Sequence, residues 1–488
     1  MTNQSPNPAA HQSASVHPTE FSRVLVAGAG VSGAGCVAAL VELGTEVVIA
    51  DNNFAAAQEL VEKHQSSSTT LSAVRAGEVD FTAAEFADFE LVVTSPGWPP
   101  HAPLLVAARE VGLQVIGDVE LGFRLDRAGV YGSPRDWLVI TGTNGKTTTT
   151  GMLTSIMDAH GATVGKRAMA TGNIGASVFA ALSAQPRVDI LVLEASSFQL
   201  HWAPTLTPDI GVLLNIADDH IDWHGSFSAY ASDKASVLRA PKRVVGLDDA
   251  AAARSAADTP HRGFTQHEPQ SGQVGVRDGM LVSAGDVHAQ PPAEVKLAPI
   301  AGLQPPGAAG ILDAAAAAAA AYEYGVAPAD IAAGLARYRV AAHRGAVVAS
   351  IGGVDYIDNS KATNPHAAQA AMAGLDSIVW LAGGQLKGAS VEQLVREESH
   401  RMRAAVLLGV DKHIIAETLR TCAPQVPVEI IESSDPQECM RQAVAAAQRQ
   451  AQVGDAVLLA PAAASLDMFS GMAQRGDLFA QATSDYSG

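Results

Sequence analysis

The chain has 488 residues and a formal net charge of −18, with 48% hydrophobic and 17% charged residues. No apolar run approaches the roughly 20 residues of a membrane helix, and the negative charge disfavours non-specific binding to nucleic acid or anionic lipid. The 3 cysteines lack the spacing of metal ligands or of a disulfide framework. We therefore predict a cytoplasmic protein of several domains that acts on small molecules, with no nucleic-acid or membrane partner.

Residues 1–20 are polar and lack the basic start and apolar core of a signal peptide, so we expect a disordered tail there. From residue 21 the sequence is typical of a βαβ unit, with the strand RVLVA, a glycine-rich turn, a helix and the strand EVVIAD. Further strands are expected at 91–97 and 113–121. A looser stretch with glycine and proline follows, and we place the end of this first domain at residue 132.

A second domain is predicted over residues 133–340. It opens with the strand WLVI, and further strands are expected in LVLE and GVLLN, ahead of an alanine-rich helix at 314–322. In the third domain, 341–488, apolar strands alternate with helical stretches, which is typical of a parallel sheet. The predicted fold class is α/β with three domains: Rossmann-like at the N-terminus, a P-loop ATPase-type parallel sheet in the centre, and Rossmann-like at the C-terminus.

Gly28, Gly30 and Gly33 lie between the first strand and the helix that follows it. The amide groups of such a turn, together with the helix N-terminus, can hold a diphosphate, and Asp51 at the end of the next strand would lie near a ribose. A tight turn without any ligand would need the same glycines, and NAD binding is a second alternative. A serine-proline-glycine turn at 95–97, after a later strand, indicates a ligand crevice at this edge of the sheet.

A glycine-containing loop, TGTNGKTTT at 141–149, follows the strand WLVI and precedes a helix. Its backbone amides can surround phosphates, Lys146 adds a positive charge, and the Thr147 hydroxyl can bind magnesium. Ile140 stands where the longer phosphate-loop pattern has its first glycine. The loop predicts a nucleotide site, and we expect ATP with Mg²⁺.

Two residues that can bind a metal follow later strands. Glu194 ends the strand ILVLE, and His220 follows the strand GVLLN. Strand ends on the side of the phosphate loop would complete a magnesium site with Thr147. The alternatives are that Glu194 only caps a helix and that His220 and His224 are ordinary loop histidines.

Together these segments resemble the Mur ligase family, and most closely its D-glutamate-adding members, over nearly the whole chain after the tail. The shared motifs, in family order, are GTNGKTTT at 142–149, TGNIG at 171–175, EASSFQL at 194–200, NIADDHID at 215–222, NSKATN at 359–364, SLD at 465–467 and QRG at 474–476. The resemblance implies an ATP-dependent ligase that joins D-glutamate to UDP-N-acetylmuramoyl-L-alanine through an acyl phosphate. We expect it to act as a monomer.

The resemblance also implies roles for individual residues. Those for the UDP-linked precursor are Gly28, Val31, Ser32, Gly33, Asp51, Ser95, Gly97, Asn173 and His220. Those for ATP are Gly142, Thr143, Asn144, Gly145, Lys146, Thr147, Thr148, Arg344, Asp358, Asn359 and Lys361. Those for D-glutamate are Thr363, Lys387, Ser465 and Leu466. Those for magnesium are Thr147, Glu194, His220 and a carbamylated Lys234. The catalytic residues are Lys146, Asn173, Glu194, His220 and Lys234.

Some positions depart from the family pattern. Asn359 stands where the family often has aspartate and Asp358 precedes it, so either could contact the ATP ribose. A His-Asn-x-x-Asn stretch of the family is AGILD here, at 309–313, and Met472 replaces an aromatic residue near the D-glutamate site. Gly246 replaces the asparagine that usually precedes an Asp-Asp pair, so no adenine contact is assigned.

Other functions compete with this interpretation. A Mur-type ligase for a different amino acid is the first alternative, but the Asp-Asn-Pro-Arg stretch of the diaminopimelate- or lysine-adding members is absent from the sequence. Folylpolyglutamate synthases lack a Rossmann-like first domain. A dehydrogenase would not need the phosphate loop, and an inactive nucleotide-binding scaffold would not need Lys146, Glu194, His220 and Lys234.

Overall fold

The computed structural model describes residues 21–65, 70–75, 83–285, 294–340, 343–372 and 375–485. The tail expected at 1–20 lies outside them. None of the helices in the described ranges combines the length and apolar character that crossing a bilayer requires. The three-domain α/β prediction is confirmed, because the strands form three separate sheets of 5, 9 and 6 strands.

The first sheet has the strand order β3-β2-β1-β4-β5, with every neighbouring pair parallel. Its strands are apolar and buried because helices cover both faces. The strands are β1 (Arg23–Ala27), β2 (Glu46–Asp51), β3 (Leu71–Arg75), β4 (Leu91–Thr94) and β5 (Val115–Gly117). The helices are α1 (Val31–Glu42), α2 (Phe54–His64), α3 (Ala83–Phe86), α4 (Pro103–Glu110) and α5 (Asp118–Arg127).

The second sheet has the order β14-β13-β12-β11-β10-β9-β6-β8-β7. It is parallel from β7 to β12 and ends in two antiparallel pairs. The strands are β6 (Asp136–Thr141), β7 (Ala168–Gly172), β8 (Ile190–Glu194), β9 (Ile210–Leu213), β10 (Lys242–Gly246), β11 (Arg262–Phe264), β12 (Gln273–Arg277), β13 (Met280–Ala284) and β14 (Val295–Pro299). The helices are α6 (Lys146–Val164), α7 (Val178–Leu182), α8 (Ser197–His201), α9 (Ile221–His224), α10 (Phe227–Ala235), α11 (Ala250–Ser255), α12 (Ala308–Tyr324) and α13 (Pro328–Arg337), with a 3₁₀ turn at Ser236–Arg239.

The third sheet has the order β15-β16-β20-β17-β18-β19 and is parallel except for the edge strand β15. The strands are β15 (Ala346–Ile351), β16 (Val354–Asp358), β17 (Ile378–Gly383), β18 (Met402–Leu408), β19 (Val428–Ile430) and β20 (Ala456–Leu459). The helices are α14 (Pro365–Met372), α15 (Glu392–Glu398), α16 (Lys412–Cys422), α17 (Pro436–Gln450) and α18 (Met472–Asp485), with a 3₁₀ turn at Ser399–Arg401.

One predicted strand is wrong in part. We expected a strand over 113–121, but β5 ends at Gly117 and α5 begins at Asp118. The extended backbone of Gly117 caps the helix, and the acidic residues Asp118 and Glu120 lie in its first turn, where the helix dipole favours negative charge. Apolar residues lie on both sides of Gly117, and for that reason the sequence predicted one continuous strand.

The first and second sheets share a hydrophobic core. A single buried cluster runs from Val24 in β1 to Val245 in β10. Beside it, the fully buried Asp126 carboxylate accepts hydrogen bonds from the Arg135 guanidinium at 2.6 Å and from the Trp137 indole N–H at 2.9 Å. The domain limits at 132/133 and 340/341 stay a prediction. Side chains from the two sides of the first limit pack against each other.

Candidate active site

The phosphate loop joins β6 to α6, and its conformation depends on Gly145. This residue has φ +80°, and a Cβ there would lie 2.3 Å from the Asp313 Oδ1. The Asn215 side chain, just after β9, accepts from the Asn144 amide at 2.8 Å and donates to the Asn144 carbonyl at 3.1 Å. These contacts hold the loop open around the N-terminus of α6, which is an anion-binding position.

Lys146, the first residue of α6, folds back over the loop. Its Nζ donates to the carbonyl oxygens of Gly142 and Thr143, both at 2.8 Å. Burial lowers the pKa of this ammonium group, and the carboxylates of Glu194 and Asp219 oppose that shift. The cation therefore stays close to where the loop would hold phosphate oxygens.

Three predicted residues from different elements meet beside the loop. The Thr147 hydroxyl donates to Glu194 Oε2 at 2.6 Å, and the Asn173 side-chain amide donates to Glu194 Oε1 at 3.0 Å. Glu194 is buried at the end of β8. A hydroxyl and a carboxylate this close are the hard oxygen ligands that magnesium prefers, so these residues fit the expected ion.

Lys234, on α10, is buried in the same region. Its Nζ donates to the Gly142 carbonyl at 2.7 Å and lies 4.9 Å from the centre of the Tyr230 ring. Burial, and to a lesser extent the charge of Lys146, hold the pKa of this amine well below its ordinary value. Lys234 is therefore not a solvated lysine on the surface of its helix.

His220 is placed less tightly than the other predicted metal ligands. It takes a left-handed conformation, φ +51°, just before α9, and its side chain is 50% exposed. The imidazole ring lies 4.7 Å from the Phe198 ring, and Nε2 is 3.6 Å from an Asp219 oxygen. It thus stands at the rim of the site, between the phosphate loop and α8.

Two cationic side chains of the third domain, Arg344 and Lys361, lie near the phosphate loop. The Arg344 guanidinium donates to the Thr147 hydroxyl. Burial lowers the pKa of Lys361 to about 8, and the nearby charge of Arg344 adds to the effect. Asp358 is buried and accepts from the His343 ring at 2.6 Å and from the Ser360 amide at 3.0 Å, whereas Asn359 is half-buried.

Asp313 is a half-buried residue to which the sequence assigned no role. It lies on α12 against the phosphate loop and accepts from the Thr149 hydroxyl at 3.2 Å. Burial raises its pKa to about 8 and outweighs the opposing effects of Thr149 and Arg344. The group is therefore harder to ionise than an ordinary aspartate.

The glycine turn of the first domain is close-packed. Gly28 has φ +111°, and a Cβ on Gly33 would lie 1.8 Å from the Gly28 carbonyl oxygen. The Asp51 carboxylate accepts from the Ala29 amide at 2.6 Å and from the Asn53 amide at 2.7 Å. The Ser95 hydroxyl lies beside Gly28. The turn, the end of β2 and the end of β4 therefore meet, as predicted.

A cavity of about 420 Å³, here called the precursor cavity, lies between the first and second domains. It is lined by residues of the glycine turn, the 95–97 turn, the TGNIG motif and α8, namely Val31, Ser32, Pro96, Gly97, Asp118, Gly172, Asn173, Ile174, Gly175, Ser177, Ser196, Phe198 and Gln199. Asn173 belongs to this lining and also contacts Glu194. The precursor cavity is thereby connected to the phosphate loop.

The residues expected to hold D-glutamate lie on three neighbouring loops at the carboxyl ends of parallel strands. The Ala462 amide donates to the Ala362 carbonyl, and Gln385 and Ala464 exchange backbone hydrogen bonds. The loops carry Thr363, Lys387, Ser465 and Leu466. Lys387 has φ +52° and lines a second cavity of about 700 Å³ with Asp411, whereas the other three are not part of that lining.

One further cluster was not predicted. The Asp233 Oδ2 lies 2.9 Å from Nδ1 of both His201 and His224, and the other nitrogen of His224 lies 3.0 Å from the Ser197 hydroxyl. These side chains could bind a metal, since their ligand atoms lie within 4.8 Å of one another. In the structure they bond to each other and tie α8, α9 and α10 together.

Three family profiles match the chain in order. They are the MurD-like N-terminal domain of Mur ligases at 22–117, the Mur ligase middle domain at 140–271 and the glutamate ligase domain of Mur ligases at 343–463. Together with the fold, these matches define an ATP-dependent ligase. The chain belongs to the Mur ligase family.

Its curated relatives share the name UDP-N-acetylmuramoylalanine--D-glutamate ligase. The protein of Corynebacterium diphtheriae is 51% identical, with 96% of this chain and 97% of the relative covered. That of Mycolicibacterium smegmatis is 46% identical, with 95% and 97% covered.

Among solved structures, a pseudomurein peptide ligase type C from Methanothermus fervidus has a TM-score of 0.52 and 16% identity, with 90% of this chain and 96% of that one covered. UDP-N-acetylmuramate-alanine ligase from Thermotoga maritima has a TM-score of 0.52 and 14% identity, with 96% and 100% covered. Both solved structures support the fold alone.

Proposed function

We propose that this chain joins D-glutamate to UDP-N-acetylmuramoyl-L-alanine in peptidoglycan precursor synthesis, with ATP converted to ADP and phosphate. The relatives at 45–51% identity carry this activity in their name. The observation that carries the proposal is the continuous contact from Thr147 through Glu194 to Asn173, because it joins the nucleotide loop to the precursor cavity.

The reaction needs an activated carboxylate. The alanine carboxylate of the precursor attacks the γ-phosphorus of ATP, the bond to the bridging oxygen breaks, and ADP leaves an acyl phosphate behind. The amine of D-glutamate then attacks the acyl carbon, phosphate departs with the bonding electrons, and a proton is lost from nitrogen. Lys146 and the loop amides reduce the repulsion between the anionic groups, and phosphoryl transfer depends mainly on such positioning and charge.

Around the ATP phosphates we assign the loop residues Gly142, Thr143, Asn144, Gly145, Lys146, Thr147 and Thr148, with Arg344 and Lys361 supplied by the third domain. Thr147, Glu194 and His220 would hold magnesium, which neutralises phosphate charge when bound. Asp358 is committed to His343 and Ser360, which favours Asn359 as the contact to the ATP ribose.

Lys234 completes the metal site in this proposal as a carbamate. Its neutral amine attacks the carbon of CO₂, an N–C bond forms, and one proton goes to solvent. An ammonium group has no acceptor and cannot ligate a metal, whereas the carbamate offers two oxygens and a negative charge. The lowered pKa of Lys234 supports the step, because only the neutral amine reacts.

Thr363, Lys387, Ser465 and Leu466 would receive D-glutamate, with Lys387 paired to one carboxylate. The glycine turn with Asp51, Ser95 and Gly97 would hold the UDP part of the precursor. We further propose that the enzyme works as a monomer in the cytoplasm, where a nucleotide-linked precursor and ATP are both available.

Phosphate release tests this function. The purified chain is supplied with ATP, magnesium and the UDP-linked alanyl precursor, together with D-glutamate, L-glutamate, L-alanine or diaminopimelate. We expect precursor-dependent release of phosphate with D-glutamate alone. Equal or faster release with L-alanine would exclude this substrate assignment, and release without any precursor would exclude the ligase reaction.

A further inference from the structure

The precursor cavity has an unusual polar lining for a site that receives a diphosphate-linked molecule. Serine hydroxyls and the amides of Asn173 and Gln199 predominate, and Phe198 presents an aromatic face. Among the described residues of the lining no side chain is cationic, and Asp118 is the only one with a carboxyl group. The cavity is therefore suited to a neutral, hydroxyl- and amide-rich group.

Asp118 is held in the cavity wall by the first turn of α5. It is 5% exposed, and within the described part of the chain its Oδ1 atom has no hydrogen-bond partner. Burial raises the pKa of this carboxyl group, and hydrogen bonds from the Ser32 and Gln199 side chains and from the Val119 and Asp118 amides oppose the rise. None of these donors has hydrogen-bonding distance and angle to Oδ1. A buried polar oxygen without a partner destabilises the fold, so such atoms are rare unless a ligand or water bonds to them.

The chemistry of this oxygen limits its partner. A phosphate group beside this oxygen would be repelled by the carboxylate, so the diphosphate is better placed at the other end of the cavity, where Val31 and Ser32 of the glycine turn begin α1. A hydroxyl or an amide N–H is a suitable donor. The precursor has both groups in its N-acetylated hexose, between the diphosphate and the alanyl carboxylate. Asn173, in the same lining, already lies toward Glu194 and the reacting end.

We propose that Asp118 is a specificity-determining residue of the precursor site, and that its Oδ1 accepts a hydrogen bond from a hydroxyl or the acetamido N–H of the sugar. The inference rests on the proposed function and deepens it. It separates the site into two parts: the glycine turn holds the nucleotide diphosphate, and the cavity around Asp118 holds the sugar.

Two nearly isosteric variants test the inference. Asp118→Leu removes both oxygens and keeps the shape of the side chain, whereas Asp118→Asn keeps an oxygen acceptor. We expect Asp118→Leu to bind UDP-N-acetylmuramoyl-L-alanine about 10- to 100-fold more weakly by calorimetry, and Asp118→Asn to stay within about threefold of wild type. Affinity for UDP alone, which has no sugar beyond the ribose, should change less than about twofold in both. In kinetics the KM for the precursor should rise while the KM for ATP does not.

A matched control is Asp158→Leu. This aspartate is an exposed residue of α6 that interacts electrostatically with Arg337 and Arg167, and it is not part of the cavity lining, so it controls for loss of an aspartate elsewhere in the chain. Unchanged precursor affinity in Asp118→Leu, or an equal loss for UDP and for the precursor, would overturn the inference. A wild-type chain without D-glutamate-dependent phosphate release would instead contradict the proposed function, so the two failures are distinguishable.

Discussion

At the scale of single residues, the proposed carbamylation of Lys234 can be tested by substitution. We expect Lys234→Ala to lower kcat about 100-fold or more, because a negative group beside the metal site is lost. Acetate or formate should restore part of the activity by occupying the vacated space. With ¹³C-labelled bicarbonate, wild type should show a carbamate carbon signal that Lys234→Ala lacks.

Lys63→Ala is the control for this experiment, because Lys63 is also a helical lysine but is exposed on α2. It should retain wild-type kcat. Near wild-type activity of Lys234→Ala, or activity that acetate and formate fail to raise, would contradict a carbamate at this position.

Lys146 and Glu194 were predictable from the sequence because each stands at a fixed point of a local pattern, between a buried strand and a helix. Asp313 was not, because it lies 164 residues beyond its partner Thr149. The role of Asp118 was hidden for another reason, since the residue belonged to a segment expected to be a strand. Burial of a carboxyl group depends on how distant segments pack, and a single sequence does not show that.

At the scale of elements, the glycine turn before α1 offers a matched pair of substitutions. A Cβ on Gly33 would meet the Gly28 carbonyl oxygen at 1.8 Å, whereas a Cβ on Gly30 would meet nothing within 4 Å. Gly33→Ala should therefore lower the free energy of unfolding by about 1–3 kcal/mol. Gly30→Ala should leave the thermal unfolding midpoint nearly unchanged but weaken precursor binding about tenfold, because the added methyl group obstructs a diphosphate at the turn.

This pair of substitutions also distinguishes the two interpretations of the glycine turn, a diphosphate site and a tight turn without any ligand. If Gly30→Ala binds the precursor as wild type does, the glycines serve only the packing of α1 against β1. Calorimetry with the precursor and thermal unfolding of the same samples provide both measurements.

Elements with strong local patterns were predictable, and those set by tertiary contacts were not. The strands β1, β6 and β8 are apolar runs bounded by glycine or polar residues, and they lie where expected. The antiparallel strands β13 and β14 at the edge of the second sheet were not predicted. Parallel strands are recognised by the helices that alternate with them in the sequence, and none of the described residues between these two strands is helical. The end of β5 was misplaced because apolar residues continue into the buried face of α5.

At the scale of the whole molecule, the proposed nucleotide site lies on the second domain and the precursor cavity lies between the first and second, so Lys146→Ala should affect the two ligands unequally. We expect it to abolish acyl-phosphate formation while precursor affinity stays within about twofold, since the cation donates to the loop carbonyls of Gly142 and Thr143 and is not part of the cavity lining. Lys166→Ala is the control, because this lysine lies beyond the far end of α6 and pairs with Asp136. A large loss of precursor affinity in a folded Lys146→Ala variant would show that the two sites are not independent.

The buried pair of Asp126 and Arg135 has a consequence for how the reactants meet. It lies beside the buried core that the first and second sheets share, so one continuous set of packed side chains supports both the precursor cavity and the phosphate loop. In the proposed reaction this packing would hold the alanine carboxylate and the γ-phosphate at a fixed separation, so that less entropy is lost when the two substrates are aligned.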